Sequence, residues 1–196
     1  SVRFAGHHET VVGETDEQTL TTAVQRDEKT IGVVTGRRRK FWDRNVLAVG
    51  LSSGFLEPLE STSIHLTQIG IQRLINLWPG RGIITAEIAH YNRIMTADYE
   101  RLRDFIVLHY SATQRRDTEF WRYVGNMEIP DTLASKLEIF RGSGRVIAAP
   151  DDLFTPHSWL AVMLGQGINP THYDALVDRV PESVLMQNMR HLKEAI

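Results

Sequence analysis

The sequence predicts an α/β remnant followed by a mainly α body. A few short strands belong to a larger sheet, and a helical C-terminal subdomain follows them. Three observations carry this expectation. The strand-like runs Ile31–Thr35 and Asn45–Val49 both precede Gly50, with the β-branched and apolar content that strands favour. From Thr62 onward the apolar residues recur at helical spacing almost throughout. Two isolated strands are marginal in water without more sheet to join, and no Gly-x-Gly-x-x-Gly follows either of them. Most of the sheet and any dinucleotide fingerprint are therefore expected from a front part outside these residues. The expected division is a partial sheet-bearing segment over residues 1–61 and a helical subdomain over 62–196.

Taken in order, residues 1–30 are polar and acidic, with a short helix predicted around Asp16–Val24 behind a Thr15 or Asp16 cap. Ile31–Thr35 reads as a strand. Gly36 opens a basic turn, Arg37–Lys40, ending in Phe41-Trp42. Asn45–Val49 reads as a second strand, the two forming a hairpin or adjacent strands. A helix is predicted from Thr62 to Leu77 with Ile64, Ile69, Leu74, Ile75 and Leu77 as its apolar stripe, stopped by Pro79-Gly80. A long helix follows from Thr85, read as its N-cap, to Tyr110, with Ile94, Tyr99, Leu102, Phe105, Ile106 and Leu108 on its buried side. A short helix begins at Asp117–Trp121 and ends near Gly125-Asn126. The next starts at Pro130 and runs to Phe140, closed by Gly142 and Gly144. Arg145–Ala148 reads as extended and Pro150–Asp152 as a turn. Ser158–Leu164 is an apolar helix stopped by Gly165 and Gly167. The last helix begins at Pro181–Ser183 and is amphipathic through Leu185, Met189 and Leu192.

Composition narrows the chemistry. The formal net charge is -2, so a basic nucleic-acid-binding surface is not expected. The absence of cysteine excludes disulfides, thiolate catalysis and cysteine-ligated metals. The histidines lack metal-ligand spacing, and His7-His8 reads as tag-like, so no metal site is expected. No apolar run approaches the roughly 18–20 residues that span a bilayer, and the N-terminus shows no signal-peptide core. A soluble, cytoplasmic protein is the expectation. The basic run Arg37–Lys40 reads as a solvated turn with snorkelling side chains in preference to a phosphate site.

The most informative stretch is Gly50–Ile64. An apolar lead-in, a small-residue turn and a helix start are packed together there, with Glu57 and Glu60 between them. The first amides of a helix lack intrahelical partners and the dipole is positive at that end, so anions are attracted. The residues alone predict an anion or phosphate site beside an acid/base carboxylate. They equally allow Glu60 as a first-turn acid stabilised by the dipole and Ser61, Thr62 and Ser63 as N-cap hydroxyls.

The run Phe55-Leu56-Glu57-Pro58-Leu59-Glu60-Ser61-Thr62 resembles the signature of flavin-dependent tryptophan halogenases. Thr35–Asn45, Arg103–Tyr110, Asp117–Trp121 and Trp159–Gly167 resemble further segments of that family, in the same order. The resemblance implies a flavin-monooxygenase-like sheet, with residues 1–61 as part of a flavin-binding domain. It implies reduced FAD supplied by a separate flavin reductase, dioxygen, and chloride or bromide oxidised to hypohalous acid. Glu60 matches the family's catalytic glutamate, and Ser61 a neighbour linking the flavin and substrate sites. Thr62 and Ser63 match the halide-holding amides, and Gly50, Ser53 and Gly54 fall near the flavin. His109, Tyr110, Phe120 and Trp121 match the substrate side, where an indole stacks. Relatives acting on free tryptophan carry an acidic residue in place of Arg116, a tyrosine in place of His109 and an asparagine close to Gly125. The expected substrate is therefore a substituted indole, a phenol or a peptide-borne tryptophan. The family's Trp-x-Trp-x-Ile-Pro motif and halogenating lysine have no counterpart among Trp42, Trp78, Trp121, Trp159 or the four lysines. The chain is thus expected to be a C-terminal portion that lacks its N-terminal part and is inactive by itself, with a homodimer as a further expected assembly. The competing readings are a non-catalytic helical interaction or structural module and a flavin monooxygenase-like hydroxylase.

Overall fold

The computed structural model describes residues 35–57, 61–78, 80, 82, 84–149 and 152–194. The strand predicted at Ile31–Thr35, apart from Thr35, and the helix predicted at Asp16–Val24 lie outside them, as do Pro58, Leu59 and Glu60. The described residues are mainly helical with a few short strands. They divide into two compact units, one up to Arg103 and one from Asp104.

In the first unit, β1 (Gly36–Arg37) pairs antiparallel with β4 (Gly54–Phe55), and β2 (Trp42–Asp43) with β3 (Val46–Leu47). Gly36 and Arg37 were expected to open a turn. They are strand residues instead, because Gly36 faces Phe55 and Arg37 faces Gly54 across the ladder. The second strand is shorter than predicted, and its hairpin partner is Trp42–Asp43. The hairpin turns through Arg44-Asn45, with Arg44 at φ 54°. Asn92 closes the outer side of β2. Its Oδ1 accepts from the amides of Phe41 and Trp42 at 2.7 and 2.9 Å, and its Nδ2 donates to the Trp42 carbonyl at 2.7 Å.

Helix α1 spans Thr62–Asn76, close to prediction. Its packed face is not the predicted stripe: Thr62, Leu66 and Gly70 are buried, whereas Ile64 and Ile75 are 64% and 59% exposed. The reason is close approach. Gly70 has no side chain, so the hydroxyl of Tyr91 reaches its carbonyl at 3.1 Å. Tyr91 lies on the long helix α2, Thr85–Ser111. That helix starts at Thr85, which is therefore inside it and not its cap. The Ile84 carbonyl accepts from Glu87 and Ile88 at 3.0 and 3.2 Å. Phe41 stacks on Tyr99 at 5.2 Å and Trp42 meets Tyr91 edge-on at 5.7 Å, so buried aromatics tie the hairpin to α2. Below them, Arg73 pairs with the buried Asp98.

The second unit contains α3 (Glu119–Val124), α4 (Asp131–Ser143), α5 (Pro156–Gly165) and α6 (Glu182–Glu194). Thr118 caps α3 and Thr155 caps α5, each accepting from the amide three residues on. Gly142 lies inside α4, and Gly144 closes it at φ 70°. Phe105, Leu108, Leu133, Leu137, Phe140, Trp159 and Met163 form the core. Phe154 stacks on Phe105 at 3.7 Å, and Trp159 meets it edge-on at 4.9 Å. Lys136 lies over the Trp159 ring at 3.7 Å and 3.9 Å from the Asp152 carboxylate. Arg145–Ala148 forms no strand, and a 3-10 turn at Ala175–Arg179 was not foreseen. Leu185 and Met189, on the predicted apolar side of α6, are exposed at 38% and 58%.

Candidate functional site

The first candidate group lies where Gly50–Phe55 leads toward α1. Val49 precedes a single 3-10 turn, Gly50–Ser52, with Gly50 at φ 64°. Ser53 is buried. Its hydroxyl donates to the Gly50 carbonyl at 2.6 Å and shares a 2.9 Å bond with the Tyr99 hydroxyl. The Ser53 amide also bonds the Gly50 carbonyl, and its own carbonyl accepts from Arg38, both at 2.9 Å. Ser53 therefore spends its polar groups inside the chain. Gly54 is required by packing: an added Cβ would lie 2.7 Å from the Gly36 carbonyl oxygen and 2.9 Å from Tyr99 Cε1. At Gly50 an added Cβ would meet only Thr67 Oγ1 and Cγ2 among the described residues, in ordinary contact at 3.7 and 3.9 Å, and it is the positive φ that favours glycine there.

At the start of α1, Ser61 adopts a left-handed conformation, φ 53° and ψ 28°, and its side chain makes no capping bond. A non-glycine residue there costs conformational energy. Thr62 follows, 3% exposed, and its buried Oγ1 has no hydrogen-bond partner among the described residues. Ser63 is half-buried, and its carbonyl accepts from Thr67 Oγ1 at 2.8 Å. An uncapped 15-residue helix thus begins beside a buried hydroxyl that still has a proton to donate. That combination favours an anion at short range through the amides, the hydroxyl and the dipole together. Further along, burial and then the charge of Arg73 hold the His65 imidazole below its ordinary pKa, so it is neutral near pH 7. Burial raises the Tyr99 hydroxyl, against the opposing Ser53 bond and Arg37 charge. Tyr99 is therefore a stable proton donor to this loop.

The second candidate group belongs to the other unit. Tyr110 stacks on Trp121 at 6.2 Å and meets Phe120 edge-on at 6.2 Å, and Phe120 and Trp121 are 5.1 Å apart. Phe120 is 47% exposed, so these rings form an open patch and not a core. His109 is turned elsewhere: its Nδ1 bonds the Phe105 carbonyl at 2.8 Å and its ring lies edge-on to Phe105 at 4.7 Å. Three of the four residues expected on the substrate side therefore share one patch, and the fourth packs against the core.

Two participants were not singled out by sequence reasoning. Tyr99 clamps Gly50–Gly54 through Ser53 and the Gly54 carbonyl, the latter at 3.3 Å. It was read only as a core residue, because a helical tyrosine on an apolar face does not announce its hydroxyl. Arg115 lies over Trp121 at 4.5 Å. The basic pair Arg115-Arg116 just before the aromatic pair was the available signal. A separate cleft of about 570 Å³ is lined by Lys40, Asp43, Arg44, Asn45, Thr85 and neighbours on α2, and contains none of the expected site residues. Among the described residues no group of three His, Asp or Glu is placed to hold a metal ion, and no helix is long and apolar enough to cross a membrane.

Comparison with known proteins identifies the frame to which these groups belong. The family model described as tryptophan halogenase matches residues 9–182. The tryptophan 6-halogenase SttH of Streptomyces toxytricini is 34% identical over 154 residues, covering 73% of this chain and 28% of that protein. The solved structure of Xcc4156, a flavin-dependent halogenase from Xanthomonas campestris, superposes with a TM-score of 0.81 at 41% identity. It covers 92% of this chain and 38% of the other. BrvH, a flavin-dependent halogenase from Brevundimonas, gives a TM-score of 0.75 at 40% identity, covering 83% and 33%. The chain thus spans about a third of the length of these relatives. With a family match over most of its length, the chain belongs to the tryptophan halogenase family.

Proposed function

We propose that this chain is the C-terminal, substrate-side portion of a flavin-dependent halogenase. Its complete form chlorinates or brominates an indole-like or other electron-rich aromatic ring. The observation that carries this reading is the buried, unpartnered Thr62 hydroxyl at the uncapped start of α1. A halide accepts hydrogen bonds from that hydroxyl and from the amides of Thr62 and Ser63, and it neutralises the positive helix end. The open aromatic patch of Tyr110, Phe120 and Trp121 supplies a surface on which a flat electron-rich ring stacks. Reduced FAD, delivered by a flavin reductase, would supply with dioxygen the oxidising equivalent that makes the halide electrophilic. Of the residues expected near it, Ser53 and Gly54 are committed to the fold, which leaves Gly50 as the residue proposed to lie against the flavin. The rest of a monooxygenase-like sheet, the fingerprint and the halogenating lysine belong in this proposal to a front part of the protein.

Glu60 and Ser61 stand beside the halide in this reading. When the ring carbon bonds the halogen, its C–H proton must leave, and the Glu60 carboxylate accepts it. Ser61, in its left-handed conformation at the start of α1, is proposed to link the flavin and substrate sides.

The test joins this chain to a flavin-binding front part of the family and reads product mass with chloride, with bromide and without halide. The proposal expects halide-dependent mass shifts that Glu60→Gln removes. A hydroxylated product whatever the halide would favour the monooxygenase reading, and a flavin-loaded protein giving no product would favour the non-catalytic module.

A further inference from the structure

The aromatic patch has a cationic border that the halogenation reading does not use. Arg115 donates to both oxygens of Asp117, at 3.2 and 2.8 Å, while its guanidinium lies over Trp121. The Arg115 hydrogen bonds first, and the charges of Arg115 and Arg122 after them, hold the Asp117 carboxyl below its ordinary range, with only Arg115 in direct contact. Arg116 and Arg122 are different. Arg116 Nη1 donates only to the carbonyls of Thr113 and Arg115, at 2.7 and 2.5 Å. Arg122 Nη1 donates to the Arg116 carbonyl at 3.0 Å. Carbonyl oxygens position a guanidinium without cancelling its charge, and neither arginine has a carboxylate ion-pair partner among the described residues.

Gly125 explains how Arg116 stays there. A Cβ at 125 would fall 2.7 to 2.9 Å from the Arg116 guanidinium atoms. The glycine therefore leaves the space that the guanidinium fills, at the C-terminal, negative end of α3. Arg116, just before α3, and Arg122, on it, thus hold carbonyl-anchored guanidinium groups on the same short segment as Phe120 and Trp121, and guanidinium groups pair with planar oxyanions.

We propose that this patch takes an aromatic ring that carries a carboxylate, received by Arg116 and Arg122, and disfavours rings that carry an ammonium. The inference rests on the reading that the patch of Tyr110, Phe120 and Trp121 holds the ring, and it names the class of ring. The shared chemistry, a flat ring with a carboxylate within reach, arises either from a free aromatic acid or from a tryptophan flanked by acidic residues in a peptide.

The experiment follows the Trp121 indole N–H resonance of the 196-residue chain during titration. The probes are indole-3-propionate, 3-methylindole, tryptamine and a blocked Asp-Trp-Asp peptide. Indole-3-propionate or the acidic peptide is expected to bind about tenfold or more tightly than tryptamine, the size of one charge-assisted hydrogen bond. Which of the two binds better identifies the source of the carboxylate. Arg122→Glu is expected to invert the order, and Gly125→Ala, which displaces Arg116, to narrow it, with 3-methylindole affinity unchanged in both. Arg122 is exposed, and an added Cβ at the half-buried Gly125 meets only the movable end of Arg116, so circular dichroism should be unaltered in both. Equal affinity for the acid and the amine, tighter binding of tryptamine, or no shift of Trp121 with any ring would overturn the proposal. The titration contains neither flavin nor halide, so a failure here is separate from a failure of halogenation in the fused protein.

Discussion

Replacing Gly54 by alanine tests the packing of the turn that leads to α1. The added Cβ would lie 2.7 Å from the Gly36 carbonyl oxygen, 2.9 Å from Arg37 Cα and 2.9 Å from Tyr99 Cε1. Two of these atoms are backbone of β1, which is paired with Gly54 itself. A flexible side-chain end cannot relieve them. Either the β1–β4 ladder opens, or the chain shifts and pulls Tyr99 from its stack on Phe41 and from its bonds to Ser53 and Gly54. Overpacking of this kind costs about 1–3 kcal/mol, and a disturbed aromatic pair adds about 0.5–1.5 kcal/mol. A loss of about 2–3 kcal/mol is expected, equivalent to a roughly 30- to 150-fold change in the opening equilibrium. The reporter is hydrogen exchange at the Trp42 indole, which is 3% exposed and donates to the Arg44 carbonyl at 3.0 Å. Its exchange rate should rise by that factor. The Gly54→Ala/Tyr99→Ala pair should not recover it, because the two backbone contacts remain. A rise below about threefold, or full recovery in the double variant, would refute the reasoning.

Thr62→Val should leave stability in chloride-free buffer unchanged or raise it by up to about 1 kcal/mol, since it removes a buried hydroxyl without a partner. It should also reduce the rise in melting temperature that chloride produces. A loss above about 1 kcal/mol without chloride would mean the hydroxyl is bonded. His65 is held below its ordinary pKa by burial and by Arg73, so near pH 6 the unfolded chain binds its proton more readily than the fold does. Its contribution to stability is intact above about pH 6.5 and is lost as pH falls from there through the lower folded value. His65→Gln should flatten denaturant stability against pH between roughly 5 and 7, and an unchanged slope would count against the assignment. Lys136→Met should cost about 1–2 kcal/mol in urea unfolding, from the lost contact with the Trp159 ring and the separation from Asp152. Adding Asp152→Asn should return part of that.

The helices were legible because their punctuation is local. Gly144 after α4 acts within a few residues of where it stands, whereas the start expected at Ser158 falls two residues late, because the Thr155 cap and Pro156 that open α5 were passed over. Which side of α1 packs was not legible. The large residues Ile64 and Ile75 face outward, and the contact is made by Leu66 and by Gly70, a residue that any apolar count ignores. Strand partners were misread for a related reason. The ladder between Gly36–Arg37 and Gly54–Phe55 joins residues distant in sequence, and two of its four members are glycines with no strand preference. At the candidate site, Phe120, Trp121 and Tyr110 were legible as a group. His109 was drawn in by matching a substrate-side position of the family, but one residue along a helix from Tyr110 turns a side chain to another face, and there it meets Phe105. The hydroxyl of Tyr99 could not be found from the sequence, because its partners lie 45 and 46 residues away.

Asn92 has a consequence beyond joining the hairpin to α2. A two-residue strand such as Trp42–Asp43 would ordinarily leave one row of amides and carbonyls facing outward, a template on which a foreign strand could add. One side-chain amide takes the Phe41 and Trp42 N–H groups and supplies a donor to the Trp42 carbonyl. It does the work of a neighbouring strand, and among the described residues β2 has only β3 beside it. Asn92 therefore works as an end-stop, occupying with one side chain the backbone groups of Phe41 and Trp42 on which another chain could otherwise pair.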